Sequence, residues 1–280
     1  MENFNNYWKH LENTRQIPNQ LRDIYSVEWD EFSKKMEKEP VFIKSLIEKL
    51  FEGDLIIIRN SIPKDLVNKI IDYSIELKNK NKSEFYKILD NCPNFYRVQG
   101  DSEKGKYSVE ANRTSFYFFR WNNDNIKIYN LLDKHYGYAK VLSGLDFEEF
   151  KHNIPSDGIV DRIQVANYED KAGYLEAHVH SLEIQRAISN IYLSTKKTEY
   201  SKGGVYLIKN NKKFNVEGEI KSGDMSFFYC NIAHGVDKIE VSNEIKNNIP
   251  EGYQGRWWIG LYSPMSDVVE KRLTSKKINL

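Results

Sequence analysis

The chain has few cysteines, almost no net charge and no long apolar run, and each scarcity removes a class of protein. Two cysteines among 280 residues are too few for a disulfide-stapled secreted fold. The 41 basic and 40 acidic residues leave a net charge of +1, which argues against a nucleic-acid or membrane surface. No run approaches the roughly 18 apolar residues of a membrane helix, and the N-terminus MENFNNYWKH is too polar for a signal peptide. We therefore expect a cytoplasmic protein with no nucleic-acid or membrane partner.

Aromatic and aliphatic residues are plentiful enough for a substantial core. Hydrophobic residues make up 40% of the chain and aromatic residues 13%, with 18 tyrosines and 14 phenylalanines. This aromatic share favours β structure. The length suits one sizeable domain with additional elements. We predict a single domain over residues 1–280, with a helical or mixed part over 1–150 and a β core over 151–280.

The N-terminal part is predicted to be mainly helical. Helical spacing recurs over 1–50, ending in an apolar stripe at Phe42, Leu46, Ile47 and Leu50. A short buried strand follows at 55–58. Ser61 is then placed to cap a second helix that has Pro63 in its first turn. The remaining elements predicted here are a polar connection over 79–106, a strand over 114–121 and a helix near 126–150.

From residue 159 onward the apolar pattern changes to a period of two. Ile163 and Val165 alternate with polar neighbours, which is typical of a strand with one buried face. Further short strands are predicted at 188–193, 205–208, 214–220, 225–229 and 257–261. Many short strands separated by Gly, Asn and Lys turns favour a jelly-roll or barrel. The predicted fold class is α+β, with N-terminal helices packed on a cupin-like double-stranded β-helix.

Three histidines within this β region are candidate metal ligands. In an extended segment residues i and i+2 face the same side, so Glu176, His178 and His180 are predicted to project together. His234 follows a Gly-Asp turn and the apolar strand MSFFY, and neighbouring strands can bring it close to the other two. Imidazole suits iron, zinc, copper and nickel. Each segment alone is equally compatible with histidines that only form ordinary hydrogen bonds.

The order of short motifs makes the site more specific. The chain reads GYLEAHVH, ISNIYLS, GGVYLI, KSGDMSFFYCNIAHGV and GRWWIGLYSP along residues 159–264. This order resembles the core of the Fe(II)/2-oxoglutarate-dependent dioxygenases, in particular phytanoyl-CoA and prolyl-hydroxylase-like members. The segment GDLIIIRNSIPKDL, residues 53–66, is similar to that family's opening strand and helix. The resemblance implies a single catalytic domain with an iron centre.

Carried over by position, the resemblance assigns three side chains. His178 matches the first metal ligand and His234 the distal one, while Arg256 matches the arginine that holds the far carboxylate of 2-oxoglutarate. A guanidinium suits that role because it pairs bidentately with a carboxylate and stays charged. The alternative for Arg256 is a solvent-facing strand residue. Its separation from His234 is long, and we expect residues 242–255 to form a hairpin extension.

His180 departs from the family pattern, which has Asp or Glu at that place. A carboxylate there would offset part of the metal's charge, whereas a neutral imidazole would not. Three readings stay open: His180 ligates in a three-His centre, Glu176 or Glu183 substitutes, or the metal has been lost. We favour ligation by His180, because its position and strand face match the motif.

Residues of neighbouring strands are predicted to line the same cavity. Gln164 and Tyr168 share a face with Arg162, while Asn190 and Tyr192 lie on the next strand; all four are candidate contacts of the oxo acid. For Tyr168, simple packing is an equally good reading. A second cluster, Arg113, Tyr117, Arg120 and Trp121, could form a substrate wall, although a core strand with one charged end is the favoured reading.

The predicted function is a non-haem Fe(II)- and 2-oxoglutarate-dependent oxygenase that uses molecular oxygen on a small metabolite. Hydroxylation is the expected outcome, with desaturation, cyclisation or epimerisation as variants. One alternative on the same fold is an oxo-acid-independent, three-His dioxygenase of the cupin type; the pair His178 and His180 with Glu183 approaches the cupin pattern, but the Glu is one residue early. Another is a non-catalytic barrel that binds a small molecule.

Overall fold

The computed structural model describes residues 3–100 and 109–278. The helices are α1 (Asn5–Thr14), α2 (Trp29–Lys38), α3 (Pro40–Phe51), α4 (Lys64–Lys80), α5 (Ile128–Leu142) and α6 (Asn243–Asn248). The strands are β1 (Ile24–Glu28), β2 (Leu55–Arg59), β3 (Phe95–Gln99), β4 (Ala111–Phe119), β5 (Arg162–Tyr168), β6 (Tyr174–Val179), β7 (Ala187–Tyr192), β8 (Lys202–Lys209), β9 (Lys212–Asn215), β10 (Met225–Tyr229), β11 (His234–Glu240), β12 (Arg256–Tyr262) and β13 (Lys276–Lys277). Within these ranges, none of the helices has the length and apolar character needed to span a membrane.

The strands form two facing layers joined by β4. The larger layer has the order β1-β2-β10-β7-β12-β5-β4, with β3 on the far side of β4. The smaller layer has the order β6-β11-β8-β9, with β13 on the outer edge of β6. Strand β4 starts against β6 and then pairs along β5, so it passes from one layer to the other. From β5 to β12 consecutive strands alternate between the two layers, apart from the hairpin β8–β9, and this confirms the predicted double-stranded β-helix.

The N-terminal helices cover the outer face of the larger layer. Trp8 of α1 is fully buried, stacks on Tyr229 of β10 at 5.3 Å and donates a hydrogen bond to the Leu142 carbonyl at the end of α5. In α3 the residues Ile43, Leu46 and Ile47 recur at helical spacing and are all buried. The predicted packing of helices on a β core is confirmed.

Five local predictions were wrong, each for an identifiable reason. The strand predicted over 214–220 ends at Asn215, and a short 3-10 helix follows at Glu217–Glu219. The 1–50 region contains β1, which pairs in parallel with β2 instead of continuing a helix, and the 79–106 region contains β3, which pairs with β4. Ser61 does not cap α4, because its hydroxyl donates to the Gly223 carbonyl at 2.9 Å. Residues 242–255 form no hairpin; Ser242 caps α6 there, and this helix accounts for the long separation of His234 from Arg256.

Candidate metal centre and its cavity

Three imidazoles meet at one end of the smaller layer. His178 and His180 lie at the end of β6, and His234, which opens β11, pairs directly opposite His178. One nitrogen of each ring lies within 4.8 Å of the others, and the His180 and His234 Nε2 atoms are 3.3 Å apart. Such a spacing is what two ligands at about 2.1 Å from a shared ion would show. The structure therefore brings together the three residues that the motif spacing predicted.

The other nitrogen of each ring is already held. His178 Nδ1 donates to the Glu176 carbonyl and His234 Nδ1 donates to the Ile232 carbonyl, both at 2.9 Å. His180 Nδ1 is 3.1 Å from the Ser275 hydroxyl. The two carbonyls place the proton on Nδ1 of His178 and His234 and leave a lone pair on Nε2, which is the nitrogen that can bind a metal. The donor set therefore fits a transition metal.

Burial favours the neutral form of all three imidazoles. It lowers the pKa of His178 to about 4, and the positive charge of Arg113 contributes to the same shift. Burial also lowers the pKa values of His180 and His234 well below their usual value. A neutral imidazole is the form that binds a metal, so near neutral pH no proton has to be displaced.

Neither nearby glutamate joins the histidines. Register on β6 shifts between the pairs His234–His178 and Val236–Leu175, so a β-bulge inserts one extra residue. The bulge turns Leu175 into the cavity and Glu176 away from it, and the Glu176 carboxylate instead pairs with Lys277 at 2.8 Å. The expectation that Glu176 would project with the histidines was wrong for this reason. Glu183 is exposed and lies outside the three-His group.

The histidines open into a cavity of about 320 Å³ between the two layers. Ligand sites of this kind start at roughly 300 Å³, so the volume suits small molecules. The predicted wall residues that line it are Gln164, Tyr168, Asn190, Tyr192 and Arg256. All of the side chains predicted as contacts of the oxo acid therefore face the same space as the histidines.

The register of β5 and β12 pairs the wall residues across neighbouring strands of the larger layer. At one end Tyr168 pairs with Arg256 and neighbours Arg113 on β4, and at the other end Arg162 pairs with Tyr262. Tyr168 ends β5 and Arg162 begins it, so their Cα atoms are roughly 20 Å apart at about 3.3 Å per residue. The cavity therefore has two cationic ends.

Arg256 is held by a carboxylate that no sequence motif singled out. Both Arg256 and Glu217 are buried, and Arg256 Nε donates to Glu217 Oε1. Glu217 also accepts from the Tyr200 hydroxyl at 2.6 Å and from the Val205 amide at 2.7 Å. Burial alone would lower the pKa of Arg256, but the charge of Glu217 raises it above its usual value. Among the residues described, Glu217 is the hydrogen-bond partner of this guanidinium, and its Nη groups are left for a ligand.

A glycine makes room for that carboxylate. A Cβ placed on Gly204 would lie 2.1 Å from Glu217 Cγ, and its φ of +108° also disfavours other residues. The pair Gly203-Gly204 was read only as part of the strand motif. Gly204 is required because the buried side chain of Glu217 occupies the space that a Cβ would need.

Of the predicted substrate-wall cluster, the structure brings only part to the cavity. Arg113 lines it, donating to the Tyr168 hydroxyl and to Gln99 Oε1, each at 3.1 Å. Tyr117 lies behind Arg162, with its ring 5.3 Å from the guanidinium carbon. Arg120 instead pairs with Asp133 and Asp161, outside the cavity lining.

The C-terminal segment closes one side of the site. Strand β13 pairs antiparallel with β6, so that Lys277 lies opposite His178, and the Ile278 amide donates to the Ala177 carbonyl at 2.9 Å. Ser275, just before β13, reaches His180. No sequence motif pointed to this contact, because the two residues are far apart in the chain.

Comparison with known proteins supports the fold. No protein-family model and no curated protein matches the sequence. Among solved structures, a full-length Neurospora crassa protein in complex with alpha-KG is similar at a TM-score of 0.51 and 11% identity, over 86% of this chain and 84% of that one. A Pseudomonas putida prolyl-4-hydroxylase gives a TM-score of 0.47 at 11% identity, over 79% and 99% of the two chains. The likeness to the Neurospora crassa protein shows that this chain shares the double-stranded β-helix fold of an alpha-KG-binding protein.

Proposed function

We propose that the protein is an Fe(II)- and 2-oxoglutarate-dependent oxygenase that acts on a small metabolite, with residues 1–280 as one catalytic domain. The observation that carries the proposal is the convergence of three buried imidazoles in a cavity whose opposite wall presents arginines. A cytoplasmic location, where iron stays reduced, would suit this centre. The fold shared with an alpha-KG-bound protein supports the same function.

The metal ligands in this proposal are His178, His180 and His234. Iron held there would couple oxidative decarboxylation of the oxo acid to the oxidation of a substrate C–H bond by molecular oxygen. The protein keeps the three rings neutral by burial and fixes the tautomers of His178 and His234 through hydrogen bonds from Nδ1 to main-chain carbonyls. Three protein ligands leave further coordination positions for the oxo acid.

The far carboxylate of 2-oxoglutarate is assigned to the wall opposite the histidines. Glu217 holds Arg256 by Nε, so the Nη groups can take a carboxylate in bidentate geometry. Because Glu217 cancels the charge of Arg256, the unbalanced positive charge at this end comes from Arg113. Both guanidiniums flank the Tyr168 ring, at 5.7 and 5.9 Å from its centre.

Polar groups between the two walls would orient the oxo acid and the substrate. Gln164, Tyr168, Asn190 and Tyr192 line the cavity and supply donors and acceptors there. Hydroxylation is the proposed outcome, and desaturation, cyclisation or epimerisation of a bound metabolite use the same residues.

The ligand set also favours a second candidate, an oxo-acid-independent dioxygenase. A three-His set lacks the carboxylate that accompanies two histidines in the facial triad of many oxygenases. The two candidates differ in whether 2-oxoglutarate binds at the metal. A barrel that only binds a small molecule would take up neither iron nor the oxo acid at this centre.

An anaerobic titration separates these functions. Metal-free protein is mixed with Fe(II) and then with 2-oxoglutarate while the visible spectrum is recorded. A weak metal-to-ligand charge-transfer band that needs both additions is expected. Iron uptake without the band would favour the oxo-acid-independent dioxygenase, and failure to bind iron would contradict both.

Variants locate the two ligands. His178→Ala should abolish iron binding, whereas Arg256→Ala should weaken 2-oxoglutarate and leave iron bound. Because Arg256→Ala leaves Glu217 buried without its partner, Arg113→Gln serves as a second variant of the same end of the cavity. An oxo-acid affinity unchanged in both arginine variants would contradict the assignment of this wall.

A further inference from the structure

Arg162 lines the cavity with its hydrogen bonding incomplete. Its Nε atom is buried and has no partner, and its Nη2 reaches Gln164 Oε1 only at 3.4 Å. Within residues 3–100 and 109–278, no carboxylate forms an ion pair with it. A buried charged donor that is left unpaired costs free energy, so its presence calls for an explanation. Arg113, by contrast, donates to two side chains at 3.1 Å.

Elsewhere the chain provides carboxylates for its structural arginines. Those with such a partner are Arg15, Arg22, Arg59, Arg120, Arg186, Arg256 and Arg272. Asp161, the neighbour of Arg162 in sequence, does not serve it, because adjacent strand residues face opposite sides. Asp161 instead pairs with Lys140 at 2.8 Å and with Arg120 at 3.1 Å. Arg162 therefore differs from these arginines, because no carboxylate of the described residues pairs with it.

The surroundings of Arg162 suit an anion. Burial lowers the pKa of its guanidinium, and the positive charge of Arg272 contributes to the same shift, so a negative group would relieve both effects. The rings of Tyr117 and Tyr262 lie 5.3 and 5.7 Å from the guanidinium carbon. Tyr262 also lies 6.1 Å from the His180 ring, so this end of the cavity is continuous with the metal centre.

We infer that Arg162 is the subsite for an anionic group of the substrate: a carboxylate, phosphate or sulfate. The backbone of Arg162 lies at the opposite end of β5 from Tyr168, the residue that Arg113 and Arg256 flank. Arg162 as a substrate subsite rests on the proposed function, whereas anion binding itself does not. A divalent metal, Arg113 and Arg162 together carry more positive charge than a dianionic oxo acid offsets, so an anionic group of the substrate would reduce the positive charge that is left around Arg162.

Titration calorimetry with inorganic sulfate and, separately, acetate tests the subsite. The protein is loaded with Mn(II) and 2-oxoglutarate, and ionic strength is held constant with sodium chloride. We expect at least one of the two anions to bind at one site per chain without displacing 2-oxoglutarate. Arg162→Gln should weaken that binding about tenfold or more, the size of one charge-assisted contact. Arg162→Lys should keep part of it.

Arg15→Gln is the matched control, because Arg15 is an exposed arginine with a distant ion pair to Glu48. It should bind the anion as the unmodified protein does. Manganese binding and the thermal unfolding midpoint establish that each variant is folded, and the competition with 2-oxoglutarate in the unmodified protein tests the separate subsite without any variant. Binding of neither anion, displacement of 2-oxoglutarate, or equal binding by Arg162→Gln would overturn the inference.

The same titration on metal-free protein separates this inference from the proposed function. If 2-oxoglutarate fails to bind but the anion binds and depends on Arg162, the proposed function is wrong and the anion site at Arg162 is still supported. If 2-oxoglutarate binds and the anion does not, the subsite is wrong and the function stands.

Discussion

The two walls of the cavity solve opposite electrostatic problems. The proposed metal site needs uncharged imidazoles, and the smaller layer favours them by burying the rings and holding Nδ1 of His178 and His234 with main-chain carbonyls. The larger layer must keep guanidiniums charged inside the protein, and it does so for Arg256 with the buried carboxylate of Glu217. The imidazoles of His178 and His234 are thus held by backbone carbonyls, whereas the guanidinium of Arg256 is held by a carboxylate counter-ion.

This difference predicts how much stability is lost when a residue of either wall loses its hydrogen-bond or ion-pair partner. A neutral imidazole that loses a hydrogen bond can still be buried at modest cost. A buried guanidinium or carboxylate that loses its partner leaves an uncompensated charge, which costs about 3–5 kcal/mol. Substitutions on the two walls should therefore differ in size and in the property they change.

The largest effect on stability is expected from Glu217→Gln. The change removes the charge that pairs with Arg256, so the free energy of unfolding should fall by about 3–5 kcal/mol. Glu240→Gln is the matched control, because Glu240 pairs with Lys202 at the surface, where solvent screens ion pairs and a much smaller loss is expected. Urea unfolding of metal-free protein measures both, and equal losses would contradict the role of Glu217.

A buried imidazole outside the cavity tests how burial controls charge. His135 on α5 stacks on Trp29 at 4.3 Å, and burial lowers its pKa to about 4. Between its usual pKa of 6.5 and pH 4, the unfolded chain binds the proton more readily, so stability falls as the pH falls through this window. His135→Phe should remove up to about 3 kcal/mol of this loss at pH 4.

The measurement for His135 is urea unfolding of both proteins at intervals from pH 7 to pH 4. The difference in unfolding free energy should move in favour of His135→Phe as the pH falls. The other buried histidines are unchanged in the variant, so their contribution cancels. Parallel pH profiles would show that His135 carries no such linkage.

The smallest effect is expected at Ser275, which supports His180 from the C-terminal segment. Loss of the hydrogen bond to a metal-ligating histidine typically lowers metal affinity about 10–100-fold. Because Ser275 offers a neutral hydroxyl, we expect an effect near the small end of this range. Ser275→Ala should therefore weaken Fe(II) or Mn(II) binding about tenfold. Ser45→Ala, an exposed serine on α3, is the control, and identical metal affinities in the two variants would exclude a supporting role.

Local periodicity predicted much of the architecture, because the strands of the core each bury one face. The apolar alternation around Ile163 and Val165 and the helical stripe ending at Leu50 both correspond to observed elements. Motif order likewise placed His178 and His234 in one site. These signals are local in sequence. The register of neighbouring strands then places His234 opposite His178.

Contacts between distant segments could not be read in this way. The β6 bulge that turns Glu176 outward depends on its pairing with β11. The carboxylate of Glu217 and the hydroxyl of Ser275 reach the site from turns that have no periodic pattern. Arg113 was read as a core-strand residue, because its place beside Tyr168 follows only from the pairing of β4 with β5.

The central claim is that the smaller layer binds the metal and the larger layer binds the far carboxylate of the oxo acid. The most direct test is a crystal structure with Mn(II) and 2-oxoglutarate, in which anomalous scattering locates the metal. We predict the metal on the Nε2 atoms of His178, His180 and His234, and the far carboxylate of the oxo acid between Arg113 and Arg256. A metal bound without His180, or the far carboxylate lying on Arg162, would contradict it.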